Sequence, residues 1–174
     1  MRRRRSHPAV TDHAPTKREL LPLIEAAASV ADHGSLLPWR LIALRGEARV
    51  RLGAAIVEAL GLEGGAAEKM AAKPLRAPLL LAIVVSPKPS HKVPGWEQEA
   101  VASGVAHALS LVLDEAGWGV IWRTGPYTRS GAVHRMHELK PDEYLLGWLY
   151  VGGTKKTKGG RRKPVKAKDL LSSL

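Results

Sequence analysis

A chain of 174 residues that is 45% apolar has enough core-forming side chains for one domain or one subunit of a compact oligomer, which excludes wholesale disorder. It has no cysteine, which excludes disulfides, zinc ribbons and thiol catalysis, and no apolar run approaching about 18 residues, which excludes a transmembrane helix. The net charge of +11 is concentrated at the ends: four arginines at 2–5 and eight cations between Lys155 and Lys168 exceed it, so the body is close to neutral. Basic ends favour an anion without saying whether it is a small phosphate or a polymer. No apolar stretch follows MRRRRS, so the start reads as neither a secretory nor a twin-arginine export signal, and a cytoplasmic location is expected.

In chain order, Thr16-Lys17-Arg18-Glu19 has capping-box spacing, followed by Leu20, Leu23, Ile24, Ala27, Ala28 and Ala31 at helical intervals. Pro22 interrupts this pattern, so the regular helix is expected to begin near it and to stop at Gly34. Residues 39–45 read as a strand. Residues 47–60 read as a helix ended by Gly61, and 63–73, rich in glycine and alanine, as a mobile helix or loop. The unbroken apolar run 79–85 (LLLAIVV) is that of a strand buried on both faces. A long helix over 96–116 carries small residues from Ala100 to Ala106 that suit close packing against another helix. Residues 118–123 read as a strand entering a turn. Residues 130–139 form a short helix capped by Ser130, and 144–151 a buried strand. This order implies an α/β or α+β layered domain with helices on a central sheet. The chain from Thr154 is basic and glycine-rich, with no clear period except at Leu170-Leu171.

The local signatures of hydrolases and NTPases are missing: there is no GxSxG elbow and no GxxxxGK[ST] loop. His134 and His137 lack a carboxylate pattern and read as a surface helix pair, so no metal site is expected. Chemistry is therefore expected from a bound cofactor. Three segments are candidates for holding one. Arg4-Arg5-Ser6 offers two guanidinium forks for a phosphate, although a solvated basic end is the plainer reading. Asp32-His33-Gly34 leads through Pro38 to Trp39, which by itself suits a core position; His33 could equally cap the preceding helix. Trp122-Arg123-Thr124-Gly125 lies where a strand ends, a common place for ligands in layered folds, or is simply a strand end with a surface arginine.

Taken together and in order, several pieces resemble the FMN-dependent nitroreductase family, in particular its small single-domain NAD(P)H nitroreductases. They are Arg4-Arg5-Ser6, Asp32-His33-Gly34 with Pro38-Trp39, Arg76-Ala77-Pro78 before LLLAIVV, His91 to Pro94 with Trp96 to Glu99, Trp122 to Gly125, and Gly147 to Gly152. The resemblance implies the α+β form, with an FMN-binding domain over 1–153 followed by a basic tail at 154–174, and an intertwined homodimer with FMN at the subunit interface. It also implies that Arg4, Arg5 and Ser6 contact the FMN phosphate and ribityl chain. By the same resemblance, His33 reaches FMN from the partner subunit, and Trp122, Arg123 and Thr124 lie beside the isoalloxazine ring. Ser29 stands where relatives can place an arginine that reaches the partner's FMN, and His7-Pro8-Ala9-Val10 where they often carry a further basic residue. The implied activity is flavin-centred, with no catalytic side chain. NAD(P)H is the donor and a nitroaromatic or quinone-like small molecule the acceptor, in a ping-pong cycle. Two alternatives stay open, a flavin-binding scaffold without redox turnover and a basic nucleic-acid-binding module. The neutral body and the lack of an aromatic RNA-binding platform argue against the second.

Overall fold

The apolar run Leu79–Val85 (β2) is the centre of the molecule in the computed structural model, which describes residues 4–155 and 165–173. All seven of its residues are buried. Leu79, Leu81 and Ile83 enter one hydrophobic cluster, and Leu80, Ala82 and Val84 enter another on the opposite face. Alternation along a strand makes this two-sided burial possible, so an unbroken apolar run is what the position requires. Around β2 stand Trp39–Leu44 (β1), Trp118–Arg123 (β3) and Tyr144–Gly153 (β4). The sheet order is β1-β2-β4-β3, and every neighbouring pair is antiparallel.

Helices cover both faces. Lys17–Ala27 (α1) and Gly95–Glu115 (α4) pack together over one. Glu47–Leu60 (α2) and Gly131–Met136 (α5) lie over the other, with Gly64–Ala71 (α3) against α2. The layered α+β architecture expected from the sequence is therefore present.

Two expectations for α1 need correction. It begins at Lys17, because Thr16 and Glu19 form a complete capping box, and Pro22 is accommodated inside it. Pro22 is exposed, so the carbonyl it leaves without a helical donor is on the side that water reaches. The helix also stops at Ala27, well before Gly34, which lies in a short 3-10 turn, His33–Ser35. The segment read as a mobile helix or loop contains the regular helix α3. It approaches α2 so closely that a Cβ on Gly53 would collide with the Ala71 backbone.

The amino-terminal segment is tied along β3 and β4. His7 N donates to Val120 O at 3.0 Å, Thr11 N to Gly153 O at 2.8 Å, and Gly153 N to His13 O at 2.7 Å. Val10 lies directly on the sheet, where Cβ atoms on Gly119 and Gly152 would come within 2.9 and 2.6 Å of its methyl groups. These glycines set the path of the chain as it leaves Arg4-Arg5-Ser6.

Candidate functional site

The carboxyl end of β3 carries Trp122 and Arg123 and runs into Thr124-Gly125. Its shape is set by a bulge in β4. Ile83 pairs with Gly147 and Val84 with Leu145, which leaves Leu146 as the extra residue. The Leu146 carbonyl accepts from Trp122 Nε1 at 3.0 Å. Gly147 adopts φ +117°, and a Cβ there would meet the Arg123 carbonyl and come within 2.8 Å of Thr124. Glycine is thus required twice over, for the backbone conformation and for the space.

The β3 end opens onto a cavity of about 350 Å³. Trp122, Arg123 and Thr124 line one side; Lys73, Arg76, Tyr127 and Tyr150 line the rest. The Arg123 guanidinium lies 5.4 Å from the centroid of the Tyr150 ring, and Arg123 Nε is buried with no hydrogen-bond partner. Among the described residues Lys73, Arg76 and Arg123 form no ion pair. Burial pushes the Tyr150 phenol up to about 12 despite the opposing pull of Arg123 and Arg76, and burial also raises the Tyr127 phenol. Both tyrosines are therefore neutral donors at physiological pH. Three unpaired cations beside aromatic walls suit a planar ligand with an electron-rich polar edge.

The other expected residues lie elsewhere in the chain. Arg4 and Ser29 share a cleft of about 300 Å³ between α1 and α4. The Ser29 hydroxyl donates to the Ala26 carbonyl at 2.8 Å, and Arg4 Nη1 donates to the Arg5 carbonyl at 3.3 Å. Arg5 is half-buried and Ser6 exposed. His33 lines a third, largely apolar cleft of about 400 Å³ with Val30, Trp96 and Val101. It does not cap α1; its Nδ1 lies 2.9 Å from Glu97 Oε2, and Trp96 beside it is 71% exposed. The structure thus brings Arg4 to Ser29 and keeps Trp122 to Thr124 together. It leaves His33 apart from both groups within one chain.

Sequence reading gave no site role to Lys73, Arg76, Tyr127 or Tyr150, although Arg76 and Tyr150 lie in segments that carry the resemblance. Lys73 and Arg76 begin and end a 3-10 turn, Lys73–Arg76, between α3 and β2. Tyr150 sits in β4 opposite Ile121, which places it on the Arg123 face. Only the strand register could have linked these positions. The expectation for His137 is also corrected: it is buried, not on the surface. Trp148 Nε1 can only donate, so His137 Nε2 accepts that bond at 3.0 Å, and Nδ1–H donates to the Val133 carbonyl at 2.8 Å. The ring is therefore neutral, and burial holds its pKa below the usual histidine value. Among the described residues no cluster of histidine and acidic side chains could hold a metal, and no helix is long and apolar enough to cross a membrane.

Comparison with known proteins bears on this site. The model of the Nitroreductase family matches residues 1–153. The Escherichia coli K12 protein named "Putative NAD(P)H nitroreductase YdjA" is 34% identical over 152 residues, which is 86% of this chain and 83% of that one. A nitroreductase-like family protein from Bacillus cereus superposes with a TM-score of 0.83 at 21% identity, covering 99% of this chain and 92% of the other. The FMN and NADPH-dependent nitroreductase NfnB of sphigopyxis sp. strain HMH superposes at 0.77 with 17% identity, covering 99% and 96%.

Proposed function

The chain belongs to the nitroreductase family, and on that premise we propose that it is an FMN-dependent oxidoreductase that takes electrons from NAD(P)H. We assign nitroaromatic or quinone-like small molecules as acceptors and a homodimer as the working form. The observation that carries this reading is the basic, aromatic cavity at the end of β3.

The residues present fit FMN. Arg123, with its buried and unpartnered Nε, and the unpaired Lys73 and Arg76 supply positive charge where an electron-rich ring edge would lie. Tyr127 and Tyr150 supply flat apolar surface, while the Trp122 ring packs against His107 on the other face of the sheet, and the backbone N–H groups of the 124–125 turn are candidates for donating to a ring nitrogen. Of these, Gly125 N already donates to the Thr128 hydroxyl at 2.9 Å, which leaves Thr124 N as the better placed. Arg4, Arg5 and Ser6 are assigned to the phosphate and ribityl chain. His33, which lines a different cleft within one chain and stands next to an exposed tryptophan, is assigned to the site of the opposite subunit. Ser29 already donates to its own helix, so its share in holding FMN is the smallest of the set.

Bound FMN supplies the hydride and electron chemistry. The protein's part is to bind, orient and bias. Lys73, Arg76 and Arg123 stabilise negative charge on a ligand more strongly as that charge grows, which favours the reduced form of an electron acceptor held among them. The neutral phenols of Tyr127 and Tyr150 add donors without adding negative charge. No side-chain acid or base is required by this arrangement, consistent with the absence of a catalytic triad or metal pattern in the sequence.

Steady-state kinetics test the reading. Without oxygen, protein reconstituted with FMN is expected to turn over NADH or NADPH continuously only when a nitroaromatic or quinone is supplied, with parallel double-reciprocal plots. Intersecting plots would contradict successive use of one site. Tight FMN binding without turnover would identify a flavin-binding scaffold instead.

A further inference from the structure

Arg76 belongs to two cavities. One is the cavity at the end of β3; the other is larger, about 570 Å³, and plays no part in the function proposed above. Its charged lining is Arg49 from the second residue pair of α2, Arg76 from the turn before β2, Lys155 from the exit of β4, and Asp12 from the amino-terminal segment. Four separate parts of the fold thus deliver three cations and one anion to a single concavity. Asp12 does not neutralise it, because among the described residues neither Asp12 nor any of the three cations forms an ion pair.

Arg49 is the anchored member. Its Nη1 donates to the Ala77 carbonyl at 2.7 Å, while its Nε is buried with no partner. A half-buried guanidinium whose hydrogen-bonding capacity is only partly used is costly unless an anion completes it. Like charges converging on one concavity also repel one another and concentrate counter-anions there.

We propose that this cavity is a second anion site, which binds the phosphate group of a small molecule through Arg49, Arg76 and Lys155. Guanidinium groups match a phosphate with paired N–H donors, and the lysine adds a mobile point charge. The excess of two cations over Asp12 favours a doubly charged phosphate over a singly charged carboxylate. The phosphate could be free in solution or be carried by a dinucleotide, and Arg76 would place it next to the cavity at the end of β3.

The test is calorimetric titration of the full-length protein saturated with FMN, so that the contacts for the flavin's own phosphate are filled. Inorganic phosphate, NADP⁺ and NAD⁺ are titrated at matched ionic strength into the natural protein and into Lys155→Ala and Arg49→Gln. Saturable phosphate binding is expected, weakened about tenfold by Lys155→Ala, with the flavin spectrum and melting temperature unchanged. Lys155 is exposed, so that variant keeps the test valid should Arg49→Gln destabilise the fold. NADP⁺ binding more tightly than NAD⁺, by a factor that Lys155→Ala removes, assigns the phosphate to a dinucleotide. Equal binding of the two dinucleotides, with inorganic phosphate still bound, assigns it to a free phosphate. No saturable binding, or binding indifferent to both variants, overturns the proposal. Because retained flavin is read separately by absorbance, a colourless protein whose phosphate binding is still weakened by Lys155→Ala would refute the flavin function and leave this site standing.

Discussion

Arg123 combines a strand-end position, a nearby tyrosine ring and an unpartnered buried nitrogen. Replacing it with glutamine removes the charge and keeps much of the volume. FMN affinity is expected to fall about tenfold to a hundredfold, the loss of one charge-assisted bond, with little change in thermal stability. Equilibrium dialysis of FMN against the variant checks this. His137 gives a different kind of expectation. Its pKa is lowered by burial, so between the folded value and about 6.5 the unfolded chain binds the extra proton. Stability is therefore complete above about pH 6.5 and falls as the pH drops toward the folded value. Urea unfolding at several pH values should show this loss, and His137→Phe should remove the step while weakening the protein by about 1–3 kcal/mol through the unpaired Trp148 N–H. Glu143 acts in a lower window. Arg40 holds it down to about 2 through two bonds of 2.8 Å, so its contribution is lost only as the pH falls from about 4.5. At this scale the sequence revealed the residues of the β3 end, because a strand running into Thr-Gly-Pro is a local pattern. It did not reveal that His137 is buried, because only the packing of α5 over Trp148 decides which face of a six-residue helix is covered.

At the scale of elements, the β4 bulge decides the geometry of the cavity. Gly147→Ala is expected to lower the melting temperature by several degrees and to reduce FMN binding, because the new Cβ collides with the Arg123 carbonyl and φ +117° is strained for alanine. A thermal melt with a flavin titration would show both effects; a variant with natural stability and affinity would mean that the bulge does not shape the site. Most elements were legible. The buried strand β2, the ends of α2 and the Ser130 cap all follow from short-range rules that no tertiary contact overrides here. Pro22 shows where such rules stop. A strong capping box upstream and solvent beside the proline let the helix pass through it. The bulge left one faint signal, the lone Gly147 inside an apolar run, which the strand pattern around it outweighed.

For the whole molecule, Trp122 to Thr124, His33, and Arg4 with Ser29 line three separate clefts of a single chain. Two subunits are what could bring them together, and the cleft at His33 with its exposed tryptophan is the surface assigned to the interface. Trp96→Arg is therefore expected to shift the protein toward monomer and to lower flavin content in parallel. Full flavin retention in a monomeric Trp96→Arg would separate the two properties and contradict a shared site. The most direct measurement is size-exclusion chromatography with light scattering, recorded with the visible spectrum, on full-length protein supplied with FMN. The expected result is a yellow species with the mass of two chains of 18.8 kDa each, whose colour bleaches when NAD(P)H is added without oxygen. A colourless species with the mass of one chain, eluting free of the added flavin, would contradict it.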